Sequence, residues 1–231
     1  MSQTITAGKQ RHLAAFVCPF VLYVVLTSIA ARFPSVYPLA YTFAVVVVGA
    51  AIFMLLRGQH ILQRHWRVAE AILFGFIGIA IWIALSSARL EEALTASFPS
   101  WLRPQARVAF DPFAELPLFT AIGFIAVRLF GLAVITPIAE ELFWRGFLLR
   151  WLISPDWEEV PLGRFSLPSF VLVTLLFTSA HPEWFAAAVY CALLNALLYW
   201  KKDLWSCVVA HGVSNLALGV YVLSTGTWSL W

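Results

Sequence analysis

The sequence predicts an all-α, multi-pass transmembrane bundle of about eight helices, and three observations carry that expectation. The chain is 61% hydrophobic and only 12% charged, whereas a soluble domain is about a quarter charged and about half apolar. The apolar residues fall in runs near the roughly 20 residues that a spanning helix needs. Basic residues and tryptophans gather where those runs end. Of the 11 tryptophans, Trp66, Trp101, Trp200, Trp205, Trp228 and Trp231 flank apolar segments, as in an aromatic belt at a membrane boundary. The formal charge of +3 is therefore that of groups anchoring helices among lipid phosphates. The expected partner is the bilayer, not nucleic acid.

The elements follow in order. The apolar run 13–31 comes after Lys9, Arg11 and His12. A signal peptide also begins with basic residues, but its apolar region is only about 7–15 residues long, so 13–31 is expected to stay as a first spanning helix. Runs 38–56 and 68–86 come next, joined by the basic stretch "RGQHILQRHWR" (57–67). Residues 87–113 place charges on one helical face and Leu, Ala and Phe on the other, interrupted by Pro99 and Pro104. They read as an interfacial amphipathic segment, placed to cap or gate whatever lies in the membrane. Segments 116–137 and 138–153 follow, then a mixed loop 154–166 and apolar segments 167–181, 184–200 and 204–224. No repeat or compositional break divides the chain. Residues 1–231 are thus expected to form one membrane domain, with 1–113 supplying the N-terminal helices and amphipathic segment and 114–231 the motif-bearing core.

The excess of Lys and Arg near the N-terminus and in 57–67 places both on the cytoplasmic side. Lys201 and Lys202 would then fall outside if every later segment spans, so one later segment is expected to be re-entrant or tilted. Cys18, Cys191 and Cys207 have neither disulfide nor CxxC spacing and are expected as small buried hydrophobes. His12, His60 and His65 lie in basic polar segments and are expected to be solvated.

The exception to the apolar pattern is "PIAEELFWRGFLL" (137–149). Each ionisable group at the centre of a membrane helix costs about 2.5–3.5 kcal/mol, so Glu140, Glu141 and Arg145 facing lipid would cost on the order of 7–10 kcal/mol. They are expected to face protein or a wet cavity. Glu141 and Arg145 are four apart with the acid first, the better order for an ion pair on one helical face. Glu140 is rotated about 100° from Glu141, and its own i+4 residue is Trp144, which is no counter-ion. A carboxylate so placed suits general acid–base work. "FTSAH" (177–181) sets His181 one turn after Phe177, and "HGVSN" (211–215) sets His211 and Asn215 one turn apart. A Glu and a His can orient and deprotonate a water, while a His and an Asn can donate to an oxyanion. The inventory fits peptide-bond hydrolysis without a covalent nucleophile. It fits equally a zinc site of Glu140, His181 and His211 with an open position, although no HExxH is present.

Each group also has a plainer reading. Glu141 with Arg145 can simply lock helices, Glu140 can serve a proton relay, and His181 can bond to backbone at an interface. His211 with Asn215 can glue helices for about 0.6–2 kcal/mol. Asn195 is expected to be helix glue, and Arg128 to snorkel or to pair with a partner the sequence does not name.

EExxxR (Glu140, Glu141, Arg145), FxxxH (Phe177, His181) and HxxxN (His211, Asn215), in this order, resemble the three motifs of the CAAX prenyl protease and bacteriocin-processing family of intramembrane peptidases. The resemblance covers roughly residues 116–224. It implies a bundle of about eight helices with a cavity open to the cytosolic side. It further implies an endopeptidase in which Glu140 and His181 activate water, His211 and Asn215 stabilise the oxyanion, and Glu141, Arg145 and Phe177 support the site. The family has been described both as metal-dependent and as glutamate-dependent. The donor character of His211 and Asn215 favours the second, with no cofactor; zinc held by Glu140, His181 and His211 is the alternative. The expected substrate is a peptide or membrane protein, lipidated or not. A short chain without an endoplasmic-reticulum address fits the prokaryotic branch, in the inner membrane. The competing expectation is a non-catalytic immunity or assembly factor that keeps the motifs for packing. A proton-coupled carrier fits less well, because the polar groups cluster toward one site.

Overall fold

In hydrocarbon a backbone must satisfy its own N–H and C=O groups, which leaves the helix as the form for these apolar runs. The computed structural model describes residues 2–103 and 109–231, without the side chains of residues 2–9 and 102. Its helices are α1 (Ser2–Ala30), α2 (Tyr37–Leu56), α3 (Ala69–Ser87), α4 (Leu90–Thr95), α5 (Pro112–Glu115), α6 (Leu118–Trp151), α7 (Leu167–Ser179), α8 (Trp184–Lys201) and α9 (Leu204–Thr225). Among the described residues there is no strand. Among the described residues six helices are long and apolar enough to cross a membrane: α1 from Gln10, α2 with the turn before it, α3, α6, α8 and α9; α7 is shorter. The chain is an integral, multi-pass membrane protein with an all-α bundle. α1 packs against α2 and α6, while α3 packs against α8 and α9.

Two expected segments, 116–137 and 138–153, are one helix of 34 residues. Pro137 marks no break, because the chain widens to π register over Gly131–Ile135 just before it, an adjustment that can absorb the missing donor of a proline. This continuity changes the count of crossings. Lys201 and Lys202 now fall at the same end of the bundle as the N-terminus, and no re-entrant segment is needed to bring them there.

Side-chain bonds define that end. Arg11 Nη2 donates to the Arg57 carbonyl at 3.1 Å, and Lys201 Nζ lies 3.2 Å from Glu70 Oε1. His12 Nδ1 stands 2.5 Å from Glu158 Oε1, and His65 Nε2 stands 2.9 Å from Asp203 Oδ2. His12 and His65 are therefore loop ties, not the freely solvated groups expected. Asp203 also caps α9, accepting from the amides of Trp205 and Ser206 at 3.2 and 2.8 Å.

The opposite end carries connectors 31–36, 88–117, 180–183 and 226–231. The stretch 87–113 is interrupted at Pro99 as expected: it comprises α4, a 3-10 turn at Ser100–Leu102 that begins after Pro99, and the start of α5. Pro104 lies outside the described residues. Glu91 is buried, and its Oε1 accepts from the Phe185 amide at 2.8 Å. The segment thus caps the N-terminus of α8, where orphan amides and the helix dipole favour a carboxylate. Of the flanking tryptophans, Trp66 is 98% exposed as a belt residue would be, but Trp231 is only 8% exposed. Cys191 and Cys207 are buried as expected, whereas Cys18 is exposed on the outer face of α1.

Burial alone would push the Asp203 carboxyl up, but hydrogen bonds from Ser206, His65 and the Trp205 amide outweigh it and hold the group below the ordinary value of 3.8. The resulting stabilisation is complete above that value and is lost as pH falls through the lower folded-state value. Asp203→Ala is expected to destabilise the protein by about 1 kcal/mol at neutral pH. Thermal unfolding in detergent should show the gap from the unsubstituted chain closing at strongly acidic pH.

Candidate active site

The site starts from a backbone irregularity in α6. The Thr136 amide bonds to the Gly131 carbonyl, five residues back. That takes away the amide which would reach the Leu132 carbonyl in α register, and the next one along belongs to Pro137, which has no N–H. The orphaned Leu132 oxygen is satisfied from another helix: Asn215 Nδ2 of α9 donates to it at 2.9 Å. The Ala133 carbonyl, four before the proline, faces Gly212, where a Cβ would stand only 2.6 Å from that oxygen. α9 therefore lies flush on the π segment, and the glycine inside HGVSN is what allows it.

One turn further on, Arg145 Nη1 lies 3.1 Å from Glu141 Oε1, and both side chains are 0% exposed. The i, i+4 ion pair is formed, and it does more than neutralise two charges. Arg145 Nε donates to Asn195 Oδ1 of α8 at 3.0 Å, and Nη2 donates to the Cys191 carbonyl at 3.3 Å. The guanidinium carbon sits 5.3 Å from the centre of the Phe177 ring of α7. The same Glu141 oxygen is 2.8 Å from His211 Nδ1 on α9. A single buried network thus joins α6, α7, α8 and α9.

Glu140 is 8% exposed and lines a cavity of about 750 Å³ together with His181, His211 and Asn215. All four residues expected to carry chemistry reach this one space. His181 follows α7 directly, its ring stacked on Phe177 at 4.5 Å and set edge-on to Trp82 at 5.6 Å. Its Nδ1 donates to the Phe177 carbonyl at 2.8 Å. A carbonyl only accepts, so in the neutral ring Nδ1 bears the hydrogen and Nε2 the lone pair. For His211, Nδ1 is likewise committed to Glu141, which leaves Nε2 as the other polar ring atom.

Among the described residues, no group of three His, Cys, Asp or Glu side chains is placed to hold a metal ion. Glu140, His181 and His211 share the cavity without forming such a triad.

Several residues of the site had no sequence signal. Phe20 and Tyr23 of α1 and Trp82 of α3 wall the cavity, yet in the sequence they are ordinary members of apolar runs. Tyr190 of α8 sets its ring edge-on to His211 at 5.7 Å; a hydroxyl at membrane depth was the available clue. Arg128 has a partner after all. It donates through Nη1 to the Tyr37 hydroxyl and lies 5.0 Å from the Tyr41 ring centre and 5.2 Å from that of Trp231. The expected helix glue Asn195 is glue specifically for Arg145.

The cavity is bounded outward by Ser35, Glu115, Ala180 and Leu230, which belong to the end opposite the N-terminus. A cytosolic cavity and a cytoplasmic N-terminus, both expected from the sequence, are therefore mutually exclusive.

Residues 122–217 match the family model described as type II CAAX prenyl endopeptidase, Rce1-like. Neither the curated proteins nor the solved structures yield a match. The matched stretch contains all three motifs and supports an intramembrane peptidase of the CAAX-protease type acting on a peptide substrate at the bilayer.

Replacing glycine by alanine in a helix interior ordinarily stabilises by about 1 kcal/mol. Gly212→Ala should do the opposite, lowering stability by about 1–3 kcal/mol, because the new methyl meets the Ala133 carbonyl instead of open space. Thermal unfolding in detergent reads the sign directly.

Proposed function

We propose that the chain, whose motif-bearing residues 122–217 belong to the Rce1-like type II CAAX prenyl endopeptidase family, is an intramembrane endopeptidase that activates water with Glu140 and His181. The observation that carries this reading is the convergence of Glu140, His181, His211 and Asn215 on one cavity, from residues up to 75 positions apart in the sequence.

The roles follow from what each side chain already bonds. His181 has its Nδ1 hydrogen engaged by a backbone carbonyl, so Nε2 accepts a hydrogen from the water and orients it. The Glu140 carboxylate takes the water's other proton as its oxygen attacks the substrate carbonyl carbon. The carbonyl oxygen becomes an oxyanion, which needs donors. Asn215 spends one Nδ2 hydrogen on Leu132 and has a second to give. His211 donates through Nε2 only as an imidazolium, because its Nδ1 hydrogen is held by Glu141. The C–N bond then breaks as Glu140 returns its proton to the departing amine, leaving a carboxylic acid and an amine. No covalent intermediate with the enzyme is required.

Among the described residues the three candidate ligands do not share a metal position, which supports a glutamate mechanism over a zinc one. Glu141 and Arg145 act by holding the donors in place. Phe177 serves both sides of this arrangement, stacking on His181 and lying under Arg145.

Glu140→Gln preserves side-chain size and is expected to lower hydrolysis of quenched-fluorescent peptides by about 10²–10⁴-fold with little change in thermal unfolding. Unchanged hydrolysis in that variant would remove Glu140 from the mechanism.

A further inference from the structure

We infer that the cavity opens on the side of the membrane opposite the cytoplasm, and that the substrate is a peptide segment presented from that side. Positive charge is distributed unevenly over the two ends of the bundle. Of the 15 Lys and Arg residues, nine lie at the end that holds the N-terminus: Lys9 and Arg11; Arg57, Arg64 and Arg67; Arg150 and Arg164; Lys201 and Lys202. Three, Arg32, Arg89 and Arg103, lie in the connectors of the other end, two, Arg128 and Arg145, lie within the bundle, and Arg107 lies outside the described residues.

Acidic residues do not distinguish the ends. Of 12, five lie at each end, and Glu140 and Glu141 lie between. Orientation in membranes follows Lys and Arg in short connectors and takes little account of Asp and Glu. Every connector here is short enough for that rule to apply. The bias of nine to three among the described residues therefore puts the N-terminal end in the cytoplasm. The assignment rests on α6 being continuous: were it two crossings, Lys201 and Lys202 would change ends and the bias would weaken.

The cavity belongs to the other end. Its outer lining comes from residues at or beside connectors 31–36, 88–117, 180–183 and 226–231, and includes exposed Ser35, Glu115 and Ala180. Nothing in its lining comes from connectors 57–68, 152–166 or 202–203. One wall is α1, with Phe20, Tyr23 and Val24, and another is α3, with Ile79 and Trp82. Val24 and Ser28 are themselves exposed on α1, so the space reaches the bundle flank in the same half of the membrane. An apolar peptide segment lying in the leaflet away from the cytoplasm has a route to Glu140 that a cytoplasmic peptide lacks. That the occupant is cleaved rests on the peptidase reading above; the side on which the cavity opens does not.

The test is labelling of the full chain in intact cells with a membrane-impermeant maleimide. Cys18 is exposed and is replaced by serine, while Cys191 and Cys207 are fully buried. On that background Ser35→Cys and Ser229→Cys report the cavity end, and Gln63→Cys reports the other; all three positions are exposed. The expected result is that Ser35→Cys and Ser229→Cys label as fully in intact cells as after lysis, and that Gln63→Cys labels only after lysis. The reverse pattern, or equal labelling of both ends in intact cells, overturns the inference. An epitope ahead of Met1 gives a second measure without altering the bundle: antibody should reach it only after lysis, and binding to intact cells overturns the inference. Neither measurement reads hydrolysis. An inert enzyme would leave the orientation standing, and a reversed orientation would leave the peptidase reading standing.

Discussion

The structure depends on one buried carboxylate. Glu141 lies at 0% exposure between Arg145 on its own helix and His211 on α9, and Arg145 in turn holds Asn195 of α8. Two charges in an apolar bundle are tolerable only if each is met, since removing one partner of a buried pair costs about 3–5 kcal/mol. Meeting them draws α6, α8 and α9 to fixed positions, with α7 held through Phe177 beneath the guanidinium. Glu140 benefits as a chain neighbour. With Glu141 locked toward the network, the helical turn of about 100° per residue leaves Glu140 on the cavity side, where it lines the same space as both histidines. The brace and the acid are two consequences of one helical phase.

A second constraint sets the distance between α6 and α9. The π segment at Gly131–Ile135 and the missing amide of Pro137 leave a carbonyl that needs a donor, and Asn215 supplies it. Gly212 lets the two backbones close up at the neighbouring carbonyl. α9 is thus pinned at two points along its length, through His211 to Glu141 and through Asn215 to Leu132. The residues proposed for oxyanion stabilisation, His211 and Asn215, are the same residues that pin the helix, so in that proposal their positions are fixed before any substrate arrives. Such preorganisation is what makes oxyanion donors effective, at about 10²–10³ in rate each.

Much of this was legible in the sequence because the signals are strong in lipid. Charges in an apolar run demand an explanation, and the spacing of Glu141 and Arg145 supplied one. Apolar run length gave the helical class, and the order of the three motifs pointed to the family whose model matches residues 122–217. What was not legible depends on relations that spacing does not encode. Pro137 reads as a break between two helices, yet a π turn carries the chain through it, and that difference reverses the side on which Lys201 and Lys202 fall. The bond between Glu141 and His211 joins residues 70 apart, and nothing local announces it. The walls supplied by Phe20, Tyr23 and Trp82 look like any lipid-facing residues until the fold places them. Histidines in basic loops read as solvated because their carboxylate partners, Glu158 and Asp203, are more than 130 residues away.

A double-mutant cycle on Glu141 and Arg145 measures directly whether the two form the brace. Unfolding free energies of the unsubstituted chain, Glu141→Gln, Arg145→Met and the double variant would be measured in mixed detergent micelles. The double variant is expected to lose less than the two single variants together, with a coupling of about 2–3 kcal/mol, because removing both partners leaves no lone buried charge. Losses that add to within about 0.5 kcal/mol would show that Glu141 and Arg145 are not the joined pair on which the site is built.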